Sequence, residues 1–385
     1  MTPRPGSVAR RLLPWFRRHG RHDLPWQRQP TPYRVWVSEV MLQQTQVATV
    51  IPYYERFLDR FPDAESLAAA RLDDVLGLWA GLGYYARGRN LHRAAREIAA
   101  RHGGTLPRSL EELMALPGIG RSTAGAIMAL AHGARHPILD GNVKRVLARL
   151  FLVREPPDAA GAVLWELAGR CTPAAHVAEY TQAIMDLGAT VCTRRRPACG
   201  RCPLRVDCGA RAAGLAEELP ARRRRRPRRI ERRHMVFVRK AGRILLRRRP
   251  PSGIWGGLWT PPEFADARAA RSWCDGLAAG AVPRRLPALR HSFTHFDLDI
   301  SPWVLEIPRR GRAPAGRGER WLAPGTDARV GLPAPVAKLL AAVLPSGGGA
   351  KESANGEDGE LHTARARGRR TRSRALSRGA GPAHL

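Results

Sequence analysis

From residue 8 to about 220, apolar side chains return at steps of three and four, in 36–58, 64–82, 91–102, 109–116, 122–133, 142–152, 161–170 and 177–190. That period stacks them on one face of a helix, so the spacing predicts a mainly helical region over 1–220. Gly103-Gly104, Pro117, Pro137 and Pro156-Pro157 punctuate it. Beyond 233 the pattern changes. Short apolar runs at 234–238 and 244–246 flank Ala241-Gly242, which predicts a hairpin. Strand-like runs follow at 255–260, 293–305 and 319–322, with helix-like stretches at 266–278 and 333–344. A separate α+β domain is therefore expected over 234–345. Residues 221–233 carry nine arginines and one glutamate, a composition expected of a solvated linker that contacts a polyanion or a repair protein. From 346 to 385, Gly, Ser, Ala and Arg predict a disordered basic tail.

Length and charge sharpen the picture. At 385 residues, two or three domains are expected. The net charge of +32 points to a polyanionic partner, and it is nearly all arginine, since Lys144, Lys240, Lys338 and Lys351 are the only lysines. No run of eighteen apolar residues occurs, which argues against a membrane span. The stretch Arg10-Arg11-Leu12-Leu13-Pro14-Trp15-Phe16 lacks the apolar core of a signal peptide. A cytoplasmic, nucleoid-associated monomer is expected.

Three groups of residues carry candidate chemistry. Leu116-Pro117-Gly118-Ile119-Gly120-Arg121-Ser122-Thr123 is a Pro-Gly-x-Gly turn opening into a small-residue helix. Positive φ at Gly118 and Gly120 would expose backbone N–H groups, and the helix start adds its own, together making a clamp for one phosphate oxygen. A plain turn between helices fits that motif equally well. Asp140, in an Asp-Gly-Asn turn, follows twenty residues after Gly120. Cys192-x6-Cys199-x2-Cys202-x5-Cys208 places four thiols within seventeen residues, enough for zinc or an iron–sulfur cluster; the uneven spacing favours a cube. Cys171 and Cys274 read as buried small hydrophobes. Glu39 stands among Trp36, Val37, Val40 and Leu42, where burial would raise its pKa and suit it to general-acid work. An ordinary helix-face glutamate paired with arginine is the competing reading. Gln43, Gln44, Thr45 and Gln46 stand out as polar on an apolar helix, suited to base edges or to insertion into a stack.

The hairpin with Asp140 resembles the helix-hairpin-helix DNA glycosylases, and the cysteine spacing is similar to their endonuclease III branch. Within it, Ser38-Glu39-Val40-Met41-Leu42-Gln43-Gln44-Thr45-Gln46, Gly81-Leu82-Gly83-Tyr84-Tyr85-Ala86-Arg87 and Met185-Asp186-Leu187-Gly188 look like the MutY-type adenine glycosylases. The resemblance implies a 4Fe–4S cluster on Cys192, Cys199, Cys202 and Cys208, and removal of adenine opposite 8-oxoguanine or guanine in double-stranded DNA. It implies that Glu39 protonates adenine and that Asp140 stabilises the sugar cation. Arg21, Trp26, Leu42 and Gln182 would line the adenine pocket. Gln44 and Tyr84 would wedge the duplex, Thr45 and Leu82 would meet the opposing base, and Gln43, Gly118, Gly120, Ser122 and Lys144 would contact DNA. Ser122 stands where bifunctional relatives carry a lysine, which implies a monofunctional glycosylase. The C-terminal part resembles a Nudix-like module at Pro251-Ser252-Gly253-Ile254-Trp255-Gly256-Gly257-Leu258-Trp259, but lacks the Arg-Glu-x-x-Glu-Glu helix of hydrolysis. Its implied task is 8-oxoguanine recognition through Phe293, Thr294 and His295. An endonuclease III-like pyrimidine glycosylase with lyase activity and a non-catalytic DNA-binding protein are the alternatives; Ser122 weighs against the first, and the pairing of Glu39 with Asp140 against the second.

Overall fold

The helical region begins with α1 (Pro5–His19) and continues through α2 (Pro32–Leu42), α3 (Val47–Arg60), α4 (Ala64–Ala69), α5 (Leu72–Leu78) and α6 (Ala86–Arg101). Then come α7 (Leu110–Ala115), α8 (Arg121–His132), α9 (Gly141–Leu150), α10 (Gly161–Cys171), α11 (Val177–Thr190) and the short α12 (Gly209–Ala212). This is a computed structural model describing residues 4–156, 159–221, 227–293, 295–309, 316, 318–323 and 330–344. The expected tail at 346–385 and Thr294 lie outside the described residues.

Two continuous helices expected from the sequence are each broken. The 36–58 pattern divides into α2 and α3 because Gln44 takes a φ of +57°, a left-handed conformation that no α-helix passes through. Gln43, Gln44, Thr45 and Gln46 thus form the link between helices rather than a polar patch on one. The 64–82 pattern divides into α4 and α5. The first starts at Asp63, whose carboxylate accepts from the Ser66 N–H at 2.7 Å, and stops at an extended Ala70.

Helix α8 sits at the centre and packs against both α2 and α11. One apolar core, holding Trp36, Phe57, Phe61, Trp79 and Ile127, lies on the α2 side. A second, holding Leu12, Leu147, Leu164 and Ile184, lies on the α11 side. The start of α8 is therefore fixed between the two helix systems that carry Glu39 and Asp140. Cys171 and Cys274 are buried, as expected.

The C-terminal part is a mixed sheet built on β1 (Arg229–Lys240), β2 (Arg243–Arg248), β3 (Trp259–Thr260), β4 (Glu263–Phe264), β5 (Arg284–Arg285), β6 (Leu289–Ser292), β7 (Phe296–Glu306) and β8 (Glu319–Leu322), with α13 (Ala267–Leu277) and α14 (Ala334–Val343). The path runs β3-β2-β1-β7-β5, with β4 on β1, β6 on β7 and β8 on β2. The Ala241-Gly242 hairpin forms between β1 and β2. Strand-like 255–260 contracts to β3, since Trp255 lies in a turn at a φ of +54°.

The linker expected at 221–233 ends earlier than its composition suggests. Arg229 opens β1, which pairs parallel with β7 from Arg229 opposite Phe296 to Arg239 opposite Glu306. Charge did not prevent strand pairing because acids sit alongside: Arg229 meets Glu231 at 2.9 Å and Arg228 meets Asp297 at 3.3 Å. Residues 222–226 lie outside the described residues.

Helical and sheet parts share one apolar core, in which Leu76 and Trp79 join Phe237, Leu258 and Leu340. Specific bonds lock the joint. Tyr85 donates its hydroxyl to the Leu332 carbonyl at 2.9 Å, Arg89 donates to the Gly256 carbonyl at 2.7 Å, and Arg248 pairs with Asp73 at 3.1 Å. At Gly331 a side chain would have no room, since its first carbon would stand 2.9 Å from Leu76 Cβ.

Candidate active site

Helix α2 starts where its sequence says it should, with the Thr31 hydroxyl accepting from the Arg34 N–H at 3.3 Å and Pro32 at the first position. Three turns carry Trp36, Val37, Val40 and Met41 into the core. Glu39 points the other way, into a cleft of about 420 Å³ that Asp140 also lines. Glu39 is half-buried. Burial, with the neighbouring charge of Asp140 adding to it, pushes the Glu39 carboxyl up to about 8.

Asp140 caps α9, its Oδ1 accepting from the Val143 N–H at 2.7 Å. Burial pushes its carboxyl up as well, but the N–H groups of Val143 and Asn142 and the charges of Arg145 and Lys144 pull it back. The Asp140 charge adds to the rise that burial causes at Glu39, so the two carboxyl groups are coupled. Glu39, at about 8, carries its proton near neutral pH.

The remaining walls gather all four of the expected pocket residues. Arg21, Trp26, Leu42 and Gln182 all line the cleft. So do Gln43, Gln44, Thr45 and Ser122. Arg21 is held from behind by Asp186, which accepts its backbone N–H at 2.7 Å and its Nη2 at 2.5 Å; Gln182 donates to the same carboxylate at 2.9 Å. Asp186 is fully buried. It is a residue the sequence reading quoted without giving it a task, and its place on the helix bearing Gln182, one turn on, was the available signal. Ser122 is tied inward: its hydroxyl accepts from the Leu139 N–H at 3.0 Å, next to Asp140.

The hairpin joins α7 to α8. Gly118 has a φ of +82°, and a side chain there would meet Asn90 Cβ at 2.7 Å. Gly120 departs from expectation. It is extended, with a φ of −90°, and caps α8 with no side-chain bond. A side chain on Gly120 would meet nothing within 4 Å, so open space lies directly over the helix start. Lys144 sits in the first turn of α9 and lines neither this cleft nor the next.

A second cavity, of about 490 Å³, opens between the helical and sheet parts. Gln43, Gln44 and Tyr84 face it from one side, and Phe293 from the other. Trp255 and His291 complete an aromatic wall: ring centroids stand 5.4 Å apart for Trp255–Phe293 and 4.7 Å for His291–Phe293. His295 is exposed and lines neither cavity. Leu82 is buried, 5% exposed, and faces neither.

Cys192, Cys199, Cys202 and Cys208 surround one small cavity of about 30 Å³ walled by Val191, Pro197 and Ala216. No trio of His, Cys, Asp or Glu among the described residues is arranged to hold a single ion. The four sulfurs instead share one neighbourhood. Burial pushes the Cys202 thiol up to about 12, and the other three add to the rise. Buried Arg149 donates to Cys192 Sγ at 3.3 Å, bringing positive charge to sulfurs that ligate as anions. Donor type, number and cationic surroundings fit an iron–sulfur cluster.

Residues 37–169 match the HhH-GPD superfamily of base excision DNA repair proteins, and residues 233–342 match the NUDIX domain. The adenine DNA glycosylase of Buchnera aphidicola subsp. Acyrthosiphon pisum is 35% identical over 337 residues, covering 86% of this chain and 95% of its own. Its human counterpart is 36% identical over 381 residues, covering 81% and 69%. Among solved structures, a thermostable thymine-DNA glycosylase aligns with 55% of this chain and 97% of its own at a TM-score of 0.50 and 25% identity.

Proposed function

The chain belongs to the adenine DNA glycosylases, enzymes of base excision repair that hydrolyse an N-glycosyl bond, and from that premise we propose that Glu39 and Asp140 divide the chemistry between them. The observation that carries this reading is the single cleft that both carboxyl groups line, where burial pushes Glu39 up to about 8 while the N–H groups and cations around Asp140 oppose the rise there. The adenine is extruded from the duplex into the cleft. Glu39 donates its proton to adenine N7, turning a poor leaving group into a good one. The bond to C1′ breaks and leaves an oxocarbenium ion, which the Asp140 carboxylate stabilises. Water then adds to C1′, and its proton passes to Glu39, restoring the acid.

Arg21, Trp26, Leu42 and Gln182 frame the extruded base, with Asp186 holding Arg21 and Gln182 in place. The second cavity takes the base opposite adenine, 8-oxoguanine or guanine, against Trp255, His291 and Phe293. The hairpin offers its uncapped N–H groups and the open space above Gly120 to a phosphate. Ser122 supplies no amine, so the enzyme is monofunctional. Cys192, Cys199, Cys202 and Cys208 would hold the 4Fe–4S cluster, which supplies a rigid cross-link rather than a reacting group. Cys202→Ser is expected to lose iron and sulfide on elemental analysis and to melt at lower temperature.

A duplex with adenine opposite 8-oxoguanine tests the main reading. Adenine is expected to be released, with strand breaks appearing only after alkali. The rate should hold while Glu39 is protonated and decline as pH rises through about 8. Scission without alkali would remove the monofunctional assignment, and a rate that climbs through that range would remove Glu39 as the acid.

A further inference from the structure

Arg87 is an expensively placed charge in the helical region. The residue is 9% exposed, and it stands in the first turn of α6, where the helix dipole repels a cation. Burial pulls its pKa down to about 10. All six of its hydrogen-bond partners are carbonyl or hydroxyl oxygens, with no carboxylate among them. Nη1 donates to the carbonyls of Val40 at 2.9 Å, Met41 at 2.7 Å and Gln43 at 2.6 Å. Nη2 donates to Thr45 Oγ1 at 3.1 Å, to the Gly83 carbonyl at 3.2 Å and to the Leu82 carbonyl at 3.4 Å. A merely structural guanidinium would be cheaper with an acid beside it.

Those partners belong to the C-terminal end of α2 with the 43–45 link behind it, and to the 82–83 loop; the link and the loop each carry a strained residue. Gln44 has a φ of +57° and Tyr84 a φ of +48°. Neither is glycine, so both conformations must be imposed from outside. Both side chains face the second cavity, and Gln44 faces the catalytic cleft too. Arg87 is stacked under the same assembly, its guanidinium carbon 5.4 Å from the Tyr84 ring centre and 5.6 Å from that of Trp79.

We infer that Arg87 is a positioning residue that clamps the 43–45 and 82–83 loops into one rigid divider between the two cavities, so that Gln44 and Tyr84 enter the duplex together. The inference rests on the proposed reading of the two cavities. Lysine cannot replace it: three rotatable donors on a point charge cannot reach six acceptors arrayed over the end of α2, the link and the loop. The clamp matters for opening the stack and not for breaking the glycosyl bond.

Arg87→Lys and Arg87→Gln separate the two. Single-turnover release of adenine opposite 8-oxoguanine is measured on a fully paired duplex, and on one whose flanking pairs are mismatched so that the stack is already broken. The parent enzyme must release adenine from both; if it does not, the reading of the cavities fails and not the clamp. The variants are expected to lose about a hundredfold on the paired duplex and to recover most of it on the opened one. Amide exchange should quicken at 43–45 and 82–84 and nowhere else. Equal losses on both duplexes, no loss on either, or a fall in global melting temperature in both variants would each overturn the clamp and leave Arg87 as scaffold or bystander.

Discussion

Glu39→Gln is expected to bring adenine release close to a halt, with a fall of about 10²–10⁴-fold in single-turnover rate, the range general acids contribute. Glutamine matches the carboxyl group in size and hydrogen bonding but has no proton to give to N7. Binding to an uncleavable duplex should persist. Stability should move the other way. The Glu39 carboxyl sits at about 8 in the fold against an ordinary 4.5, so folding favours its neutral form. The stabilising contribution of that proton is complete below about 4.5 and is lost as pH rises through about 8. Above that pH the glutamine variant, which never ionises, should resist urea better than its parent. A variant that keeps full activity would remove Glu39 from the mechanism.

Asp140→Asn is expected to cost about 10²–10³-fold, comparable to deleting one preorganised electrostatic group. Asparagine is as good a helix cap as aspartate, so the Val143 N–H keeps a partner and α9 keeps its start. What is removed is the negative charge facing C1′. A second effect is built in. Because the Asp140 charge helps to lift Glu39, its removal should lower the pH at which the residual rate falls away. A pH profile with an unmoved alkaline limb would show that the two carboxyl groups are not coupled.

The helical and sheet regions were legible from apolar period alone, since three-and-four spacing and short runs persist over whole elements. Gln44 was not: one left-handed residue breaks a helix without disturbing the apolar pattern around it. The arginines from 229 onward misled for a different reason. One neutralising acid, Asp297 beside Arg228, lies some seventy residues further on, and parallel pairing with β7 is invisible locally. Glu39 and Asp140 could be singled out because burial and a turn mark them in the sequence, and the resemblance supplied their tasks. Arg87 acquires its task only from what the fold brings beside it, the carbonyls at the end of α2, in the link after it and in the 82–83 loop, and Trp255 joins the aromatic wall only through the fold.

The joint at Gly331 and Leu76 also bears on heredity. A reader of the opposing base hung on a free tether could be lost, or exchanged for another, without harm to the part that cuts. Here the same apolar core runs through both. A frameshift near residue 229 would strip the cover from Leu72 and Leu76 and expose the helical half to aggregation, where a tethered design would merely lose its discrimination. A truncated allele should therefore act as a null in the cell, and never leave behind an active glycosylase that removes adenine from the wrong partners.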